Sequence, residues 1–371
     1  MRTDASSTTT AWLIGAILAL AGTPIASNTL AQPTEQTADV ARFADAVARS
    51  QLRERALDVL SQAAFDPNPG IRANALEGLE STPSRLEPIA RAALSDQNLG
   101  VRFAAAMMVG RAPLPKSAPF AKPLLNDQDE RVRLAAIFAL AANGQPIDQN
   151  PLARALRHHD PRVRSQAAFI LGELGNESAA PMLREAAKSR ESGSPSLERL
   201  FRLQLAEALV KLGDHQAIDS LRAALYPSTR EEFEAAVLAA QAIGELRDEG
   251  SAAQLVNLVE QLAPGAEQDA TRDPAQRRYL QPKELRLAAT IALAKMGYAD
   301  GAYVADMYAG DPVPAVRAQT TFLYAEIATL ESLAKLEAML DDDSPLVRVS
   351  ASASAVRLVD AIGARLTRAG R

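Results

Sequence analysis

Few side chains in this sequence could take part in catalysis or bind a metal. The chain has three histidines, and two of them, His158 and His159, are adjacent, an arrangement that can serve a metal site or an acid–base pair. We interpret both as residues of a turn between helices, because His158 stands where equivalent turns of the chain have aspartate. His215 lies alone after Gly213 and Asp214.

A run of three carboxylates, Asp341 to Asp343, could indicate calcium binding. A calcium loop places further oxygen ligands at defined spacings after its first carboxylate. No second set with that spacing follows the run. We therefore interpret it as an acidic turn that caps the next helix.

The sequence excludes several kinds of catalytic and cofactor site. It contains no cysteine, which excludes disulfides, zinc–thiolate sites, iron–sulfur clusters, thiol nucleophiles and covalent c-type haem within this chain. It also lacks G-x-S-x-G, a glycine-rich phosphate loop with its lysine, and H-E-x-x-H. The sequence thus predicts a protein that is not an enzyme, with no cofactor and no metal.

The composition is that of a foldable, mildly acidic chain. Of 371 residues, 47% are hydrophobic and 23% charged, and 40 Lys and Arg against 45 Asp and Glu give a net charge of −5. These values exclude a disordered tail and argue against a basic nucleic-acid-binding protein. Aromatic residues make up only 4%, so the core consists of small aliphatic side chains, which suits closely packed helices.

The N-terminus has the pattern of a secretory signal. An apolar run of eleven residues, Ala11 to Ala21, follows Arg2 and is shorter than the roughly 20 residues that a membrane-spanning helix needs. Small residues then lead to Thr29-Leu30-Ala31, a typical cleavage sequence. We expect residues 1–31 to be removed and the mature protein to be periplasmic or secreted; an uncleaved membrane anchor is the alternative.

A sequence repeat of about 31 residues runs through the rest of the chain. Each copy carries a marker arginine inside an alanine-rich segment, and one copy has Ala236 in its place. The arginines follow one another by 30 or 31 residues, except for gaps of 38 and 84 residues, the longer of which contains the Ala236 copy. The marker arginines are Arg72, Arg102, Arg133, Arg164, Arg202, Arg286, Arg317 and Arg348.

Each repeat has the local signals of two helices. A short polar residue four positions before the arginine can cap the following helix, and proline often comes next, at the first helical position. Glycine eleven residues after the arginine indicates the helix end. The capping residues are Asn68, Asn98, Asp129, Asp160 and Ser344; the prolines are Pro69, Pro161, Pro314 and Pro345; the glycines are Gly144, Gly175, Gly213 and Gly297.

The repeat resembles the short HEAT repeats named after phycobilisome lyases, with the signature D-P-x-V-R-x-x-A-A-x-A-L-G-x-L-G clearest over Asp160 to Gly175. The resemblance covers residues 65–363 and implies an all-α, right-handed α-solenoid of about nine to ten stacked helix pairs. It does not imply lyase activity. In the family, an aspartate six residues before the arginine helps to tie the turn, so Asp66, Asp96, Asp127, Asp311 and Asp342 are structural; His158 and Ser196 replace it in two repeats.

The remaining segments complete the domain organisation. Residues 32–64 are an N-terminal helical cap, residues 263–282 a polar insertion that we expect to be a mobile loop, and residues 364–371 a short basic tail. A shorter insertion, Lys188 to Pro195, explains the gap of 38 residues.

One row of apolar residues lies opposite the expected core side of the arginine-bearing helix. At about 100° per residue, positions one and five after the arginine fall about 200–240° from the core row. On the concave face of a solenoid such a row would form a partner-binding groove; tight curvature, or the long insertion folding over it, would make it additional core instead. The row comprises Phe103, Met107, Leu134, Phe138, Phe169, Leu203, Leu287, Ile291 and Phe322.

These features favour an exported scaffold that binds a protein or peptide partner. The alternative is a chromophore-lyase-like chaperone or an accessory subunit of an exported redox enzyme. No nucleic-acid partner and no membrane span after signal cleavage are expected.

The first prediction concerns processing. Because small residues precede position 32, the intact mass of the native protein should correspond to a chain that begins at Gln32. A native protein that retains Met1 or Arg2 and stays in the cytosol would contradict export.

Overall fold

The computed structural model describes residues 40–188 and 194–369, and these form the all-α repeat fold that the sequence predicts. The expected signal peptide lies outside the described residues. In chain order the α-helices are α1 (Ala46–Ala63), α2 (Pro69–Gly78), α3 (Pro83–Ala93), α4 (Leu99–Arg111), α5 (Glu130–Ala142), α6 (Asn150–Ala155), α7 (Pro161–Leu174), α8 (Ala180–Ala187), α9 (Pro195–Lys211), α10 (Ile218–Ala224), α11 (Phe233–Leu246), α12 (Ala252–Glu260), α13 (Lys283–Lys295), α14 (Ala302–Tyr308), α15 (Pro314–Ile327), α16 (Leu330–Met339) and α17 (Pro345–Ala369).

Two kinds of helix alternate along the chain. The marker helices carry the marker arginines or Ala236, and they are α2, α4, α5, α7, α9, α11, α13, α15 and α17. The helices between them are called second helices. In one repeat the second helix is replaced by a 3-10 helix, Ala118–Asn126. Pro119 and Pro123 explain the change, because proline has no N–H to donate within an α-helix.

The chain divides into two compact bodies. One contains residues 90–301, and the other contains residues 40–89 together with 302–369.

Four of the five predicted capping residues, the prolines and the glycines act as predicted. Asn68, Asn98, Asp129 and Asp160 each accept a hydrogen bond from a main-chain N–H of the first helical turn. The four prolines begin their helices, and the four glycines after marker helices have positive φ angles of 66–98°. Two repeats without glycine place Arg247 and Ala328 in the same left-handed conformation.

Pairs of marker helices approach closely where one of them has glycine. An added Cβ on Gly172 of α7 would lie 3.0 Å from the Cα of Ala208 in α9. The same contact recurs between α11 and α13, where a Cβ on Gly244 would lie 2.8 Å from the Cα of Ala292. Since real Cβ atoms do not approach so closely, glycine sets the spacing of both helix pairs.

An ion pair follows each of these close contacts. Glu173 comes directly after Gly172, and its carboxylate accepts from Lys211 Nζ at 2.7 Å. Glu245 comes directly after Gly244 and pairs with Lys295. Although burial alone would lower it, the carboxylates of Glu207 and Glu173 raise the pKa of Lys211. The second body repeats the arrangement between α15 and α17, where Glu326 accepts from an Arg357 Nη at 2.7 Å.

In the second body, which contains residues 40–89 and 302–369, α1 packs on α17. Leu57 and Leu60 of α1 are buried, and an added Cβ on Gly78 of α2 would lie 3.1 Å from the Cβ of Ala353 in α17. Arg53 of α1 donates two hydrogen bonds to Asp360 of α17, at 2.7 and 3.2 Å. The N-terminal helices therefore cover the last repeat, which is the role of a cap in repeat proteins.

The insertion at residues 263–282 makes hydrogen bonds near both of its ends. The Ala263 N–H donates to the Arg278 carbonyl and the Leu280 N–H to the Gln261 carbonyl, both at 2.8 Å. Arg278 Nε also donates to the carboxylate of Asp269, a residue that is fully buried. These bonds bring the two ends of the insertion together as in a hairpin, and its expected mobility stays a prediction.

The residues after 363 continue a helix, whereas the sequence suggests a separate tail. The sequence suggests that the repeat region ends at residue 363 and that a basic tail follows. In the structure α17 continues without a break from Pro345 to Ala369, and Arg365 donates to the Ala328 carbonyl at 3.4 Å.

The glycine contacts predict that replacing glycine by alanine destabilises the protein at one position and stabilises it at another. Gly244→Ala should lower the free energy of unfolding by about 1–3 kcal/mol, because its methyl group would overlap Ala292. Gly363→Ala is the matched control: no atom lies within 4 Å of its Cβ position, so better helix propensity should stabilise the protein by about 0.5–1 kcal/mol. Urea unfolding followed by circular dichroism measures both values. Stabilisation by Gly244→Ala would show that the helices can separate freely.

Candidate functional site

The marker arginines hold the turns of their own repeats. Nη1 of Arg72 donates to the main-chain carbonyl of Asp66 at 2.9 Å, and Nη1 of Arg317 to that of Asp311 at 2.6 Å. The same bond recurs from Arg102 to Asp96, from Arg133 to Asp127 and from Arg348 to Asp342. Each of these five aspartates also accepts, through its carboxylate, the main-chain N–H two residues later.

Two of these arginines also reach the next repeat. Arg102 binds the carboxylate of Asp127 with two hydrogen bonds, at 2.7 and 3.1 Å, and Arg317 binds that of Asp342 at 2.8 and 2.7 Å. The hydrogen bonds from Arg102 hold the pKa of Asp127 below its ordinary value, against the opposing effect of burial. These side chains connect consecutive turns and have a structural part.

In the repeats that lack the aspartate, other side chains supply the polar contacts. His158 accepts the Asp160 N–H through Nδ1 at 3.0 Å, as an aspartate would. Arg164, only 3% exposed, pairs with the buried carboxylate of Glu198, and its guanidinium carbon lies 4.6 Å from the ring centre of Phe201.

The apolar row that the sequence offers as a groove is packed. Six members are at most 6% exposed, and the other three are half-buried. The buried members are Met107, Leu134, Phe138, Phe169, Leu203 and Leu287, and the half-buried ones are Phe103, Ile291 and Phe322. The burial supports the alternative that the row is additional core.

Close packing among marker helices explains this burial. Phe138 of α5 lies over Gly110 of α4, whose added Cβ would come within 2.5 Å of the ring. Gln166 of α7 donates to the sulfur of Met107 in α4 at 3.4 Å, across 59 residues of sequence. Marker helices two repeats apart therefore touch, and residues opposite the expected core side are enclosed.

A different surface forms an open cleft. It lies in the first body between α8, α9, α10 and the start of α11, with a volume of about 400 Å³, within the range of about 300–1,000 Å³ that ligand pockets have. Its lining combines mainly apolar side chains with two arginines and a serine. We call this surface the α9–α10 cleft. Its lining includes Arg199, Arg202, Leu203, Leu209, Ser220 and Ala224.

Arg199 gives the cleft its polar chemistry. Its Nε is buried and has no hydrogen-bond partner, which costs a protein about 1–3 kcal/mol per group. Arg202, the marker arginine of this repeat, is exposed and lines the same cleft. Among the residues that the structure describes, no acidic residue belongs to the lining.

The sequence pointed to Leu203 but not to Arg199 or Ser220. The available signal was the departure of this repeat from its neighbours: Ser196 stands in the aspartate position, and the Lys188 to Pro195 insertion precedes α9.

The other candidate groups serve structure. In the Asp341 to Asp343 run, Asp341 pairs with Arg55 at 2.6 Å and the carbonyl of Asp343 accepts from Arg348 at 3.1 Å. His215 lies exposed on a polar depression. Over the described residues, acidic and histidine side chains form no group of three suited to a metal, and no helix has the length and hydropathy to cross a membrane.

Comparison with known families agrees with the repeat geometry. A family model for HEAT repeats matches residues 57–141, 118–194 and 150–239. The chain belongs to the HEAT-repeat proteins. No curated protein matches it.

The solved structures that this chain resembles have low sequence identity and low TM-scores to it. The CpcE–CpcF complex of the phycocyanin lyase from Nostoc sp. is 20% identical, with 76% of this chain and 94% of that chain covered and a TM-score of 0.36. Human deoxyhypusine hydroxylase is 17% identical, with 84% and 98% covered and a TM-score of 0.35.

The buried pair in α7 and α9 generates a stability prediction. Arg164→Ala should lower the free energy of unfolding by about 3–5 kcal/mol, because it leaves the Glu198 charge buried without its partner. The double variant Arg164→Met/Glu198→Leu should recover most of that loss, since apolar side chains of similar size can replace such a pair. Chemical denaturation measures both. A double variant as unstable as the single one would rule out the pairing argument.

Proposed function

We propose that this protein is a non-enzymatic scaffold that binds a partner protein in the α9–α10 cleft. The cleft carries the proposal, because it combines a mainly apolar lining with the guanidinium of Arg199. Clefts that join apolar walls to a few polar groups are the usual form of binding sites.

The contacts elsewhere support a scaffold. Six of the eight marker arginines bond to turn carbonyls, to aspartates of following turns or to Glu198. These polar groups hold the repeats together, and the apolar row is enclosed among the marker helices. The cleft shares Arg202 and Leu203 with these two sets, and Arg199, Ser220 and Ala224 of its lining belong to neither.

We also propose that the scaffold is exported. The support is the apolar run Ala11 to Ala21 with the small residues that end at Ala31. The partner would then be a periplasmic or secreted protein, or the exposed part of a membrane protein.

If the cleft binds the partner, a large side chain that fills the cleft should weaken partner binding. Ser220 is exposed on α10 and lines the cleft, so Ser220→Trp should occupy the space without disturbing the core. A partner captured from the exported fraction would be identified, purified and titrated against the purified scaffold by calorimetry. We expect Ser220→Trp to weaken binding at least about tenfold, which corresponds to about 1.4 kcal/mol.

Ser84→Trp is the matched control, because Ser84 is exposed on α3, away from the cleft lining. It should leave the affinity unchanged, and both variants should keep the wild-type melting temperature. Equal binding by wild type and Ser220→Trp would remove the cleft from the proposal.

A further inference from the structure

The α9–α10 cleft has a charged part and an apolar part. On α9 its lining residues follow helical spacing from Arg199 through Arg202, Leu203 and Ala206 to Leu209. Ten residues of helix span about 15 Å. Both arginines lie toward the N-terminal end of this stripe, and apolar side chains form the remainder.

The charged part suits a carboxylate. A guanidinium presents its donors in a planar fork that matches the two oxygens of a carboxylate. The guanidinium of Arg199 lines the cleft, and no acid in the described part of the lining competes for it. An incoming carboxylate would therefore supply what the cleft lacks.

The apolar part limits how much of a partner can enter. A polypeptide inserted along the cleft would bury main-chain N–H and C=O groups, and buried groups of this kind need hydrogen-bond partners. Apart from the arginines, the Ser220 hydroxyl is the one polar side-chain group in the described part of the lining. Few residues can therefore enter, whereas one apolar side chain fits well.

We propose that the cleft binds the C-terminal residue of the partner protein: its carboxylate binds Arg199, and its apolar side chain packs against Leu203, Leu209 and Ala224. The cleft is open to solvent, so the partner chain leaves through the opening. This inference rests on the proposed function and specifies the chemistry of the partner.

Short peptides test the carboxylate directly. The probes are fluorescein-labelled decapeptides of glycine and serine that end in Ala-Leu or Ala-Phe, each with a free C-terminus or a C-terminal amide. Fluorescence polarisation against the full mature protein should show binding of the free acids and at least about tenfold weaker binding of the amides. Arg199→Gln should reduce the affinity for the free acid to the level of the amide and leave the amide unaffected.

Two controls separate the site from general charge effects. Arg157→Gln removes the same charge from an exposed residue outside the cleft and should not change either affinity. Peptides that end in Ala-Gly should bind at least about tenfold more weakly than those that end in Ala-Leu, since they lack the side chain that fills the apolar part.

Several results would overturn the inference. Equal affinity for acid and amide, an unchanged acid–amide difference in Arg199→Gln, or no binding of the free acids at millimolar concentration would each exclude recognition of a chain terminus. If dodecanoate binds with an Arg199-dependent affinity and the peptides do not, the ligand is a free amphiphile instead.

Changing the C-terminus of the purified partner distinguishes this inference from the proposed function. If amidating or extending its C-terminus leaves its affinity intact while Ser220→Trp abolishes binding, the cleft binds another part of the partner. The scaffold function then stands and the terminal-residue inference fails.

Discussion

Guanidinium groups that bond in two directions connect consecutive repeats of this protein. Arg102 and Arg317 each donate to a carbonyl in the turn of their own repeat and to the aspartate of the following turn. A lysine ammonium is a compact charge and would not supply the same fork of donors. Where the aspartate is missing, other groups accept: Arg164 binds Glu198, and Arg286 donates to the Val259 carbonyl.

Enclosure of the marker helices places a second constraint on the sequence. A helix that is packed on nearly every side cannot show a strong division into polar and apolar faces, and in α7 the buried residues include Gln166 as well as Phe169. It also requires small residues where its neighbours come nearest, as at Gly172 and Gly244. Close spacing leaves little volume for large rings, consistent with an aromatic content of only 4%.

The fold was predictable to the extent that its signals are local. Caps such as Asp160, prolines such as Pro161 and glycines such as Gly175 act within one turn of helix, so single repeats reveal them. The apolar row was ambiguous because helical periodicity gives an angle within one helix, whereas its burial depends on helices two repeats away. The cleft depends on the packing of four segments and has no repeated motif; only the irregular chemistry around Ser196 marks its position.

The packing of α1 on α17 affects how the chain can fold. Arg53 and Asp360 are separated by 307 residues, whereas most repeats contact neighbours that are close in sequence. During synthesis, Leu57 and Leu60 would have no complete packing partner until the final helix had been made. Long-range contacts of this kind slow folding and prolong the exposure of apolar surface. Helix α1 is thus among the last elements to gain its native environment, and the incomplete chain is open to aggregation until then.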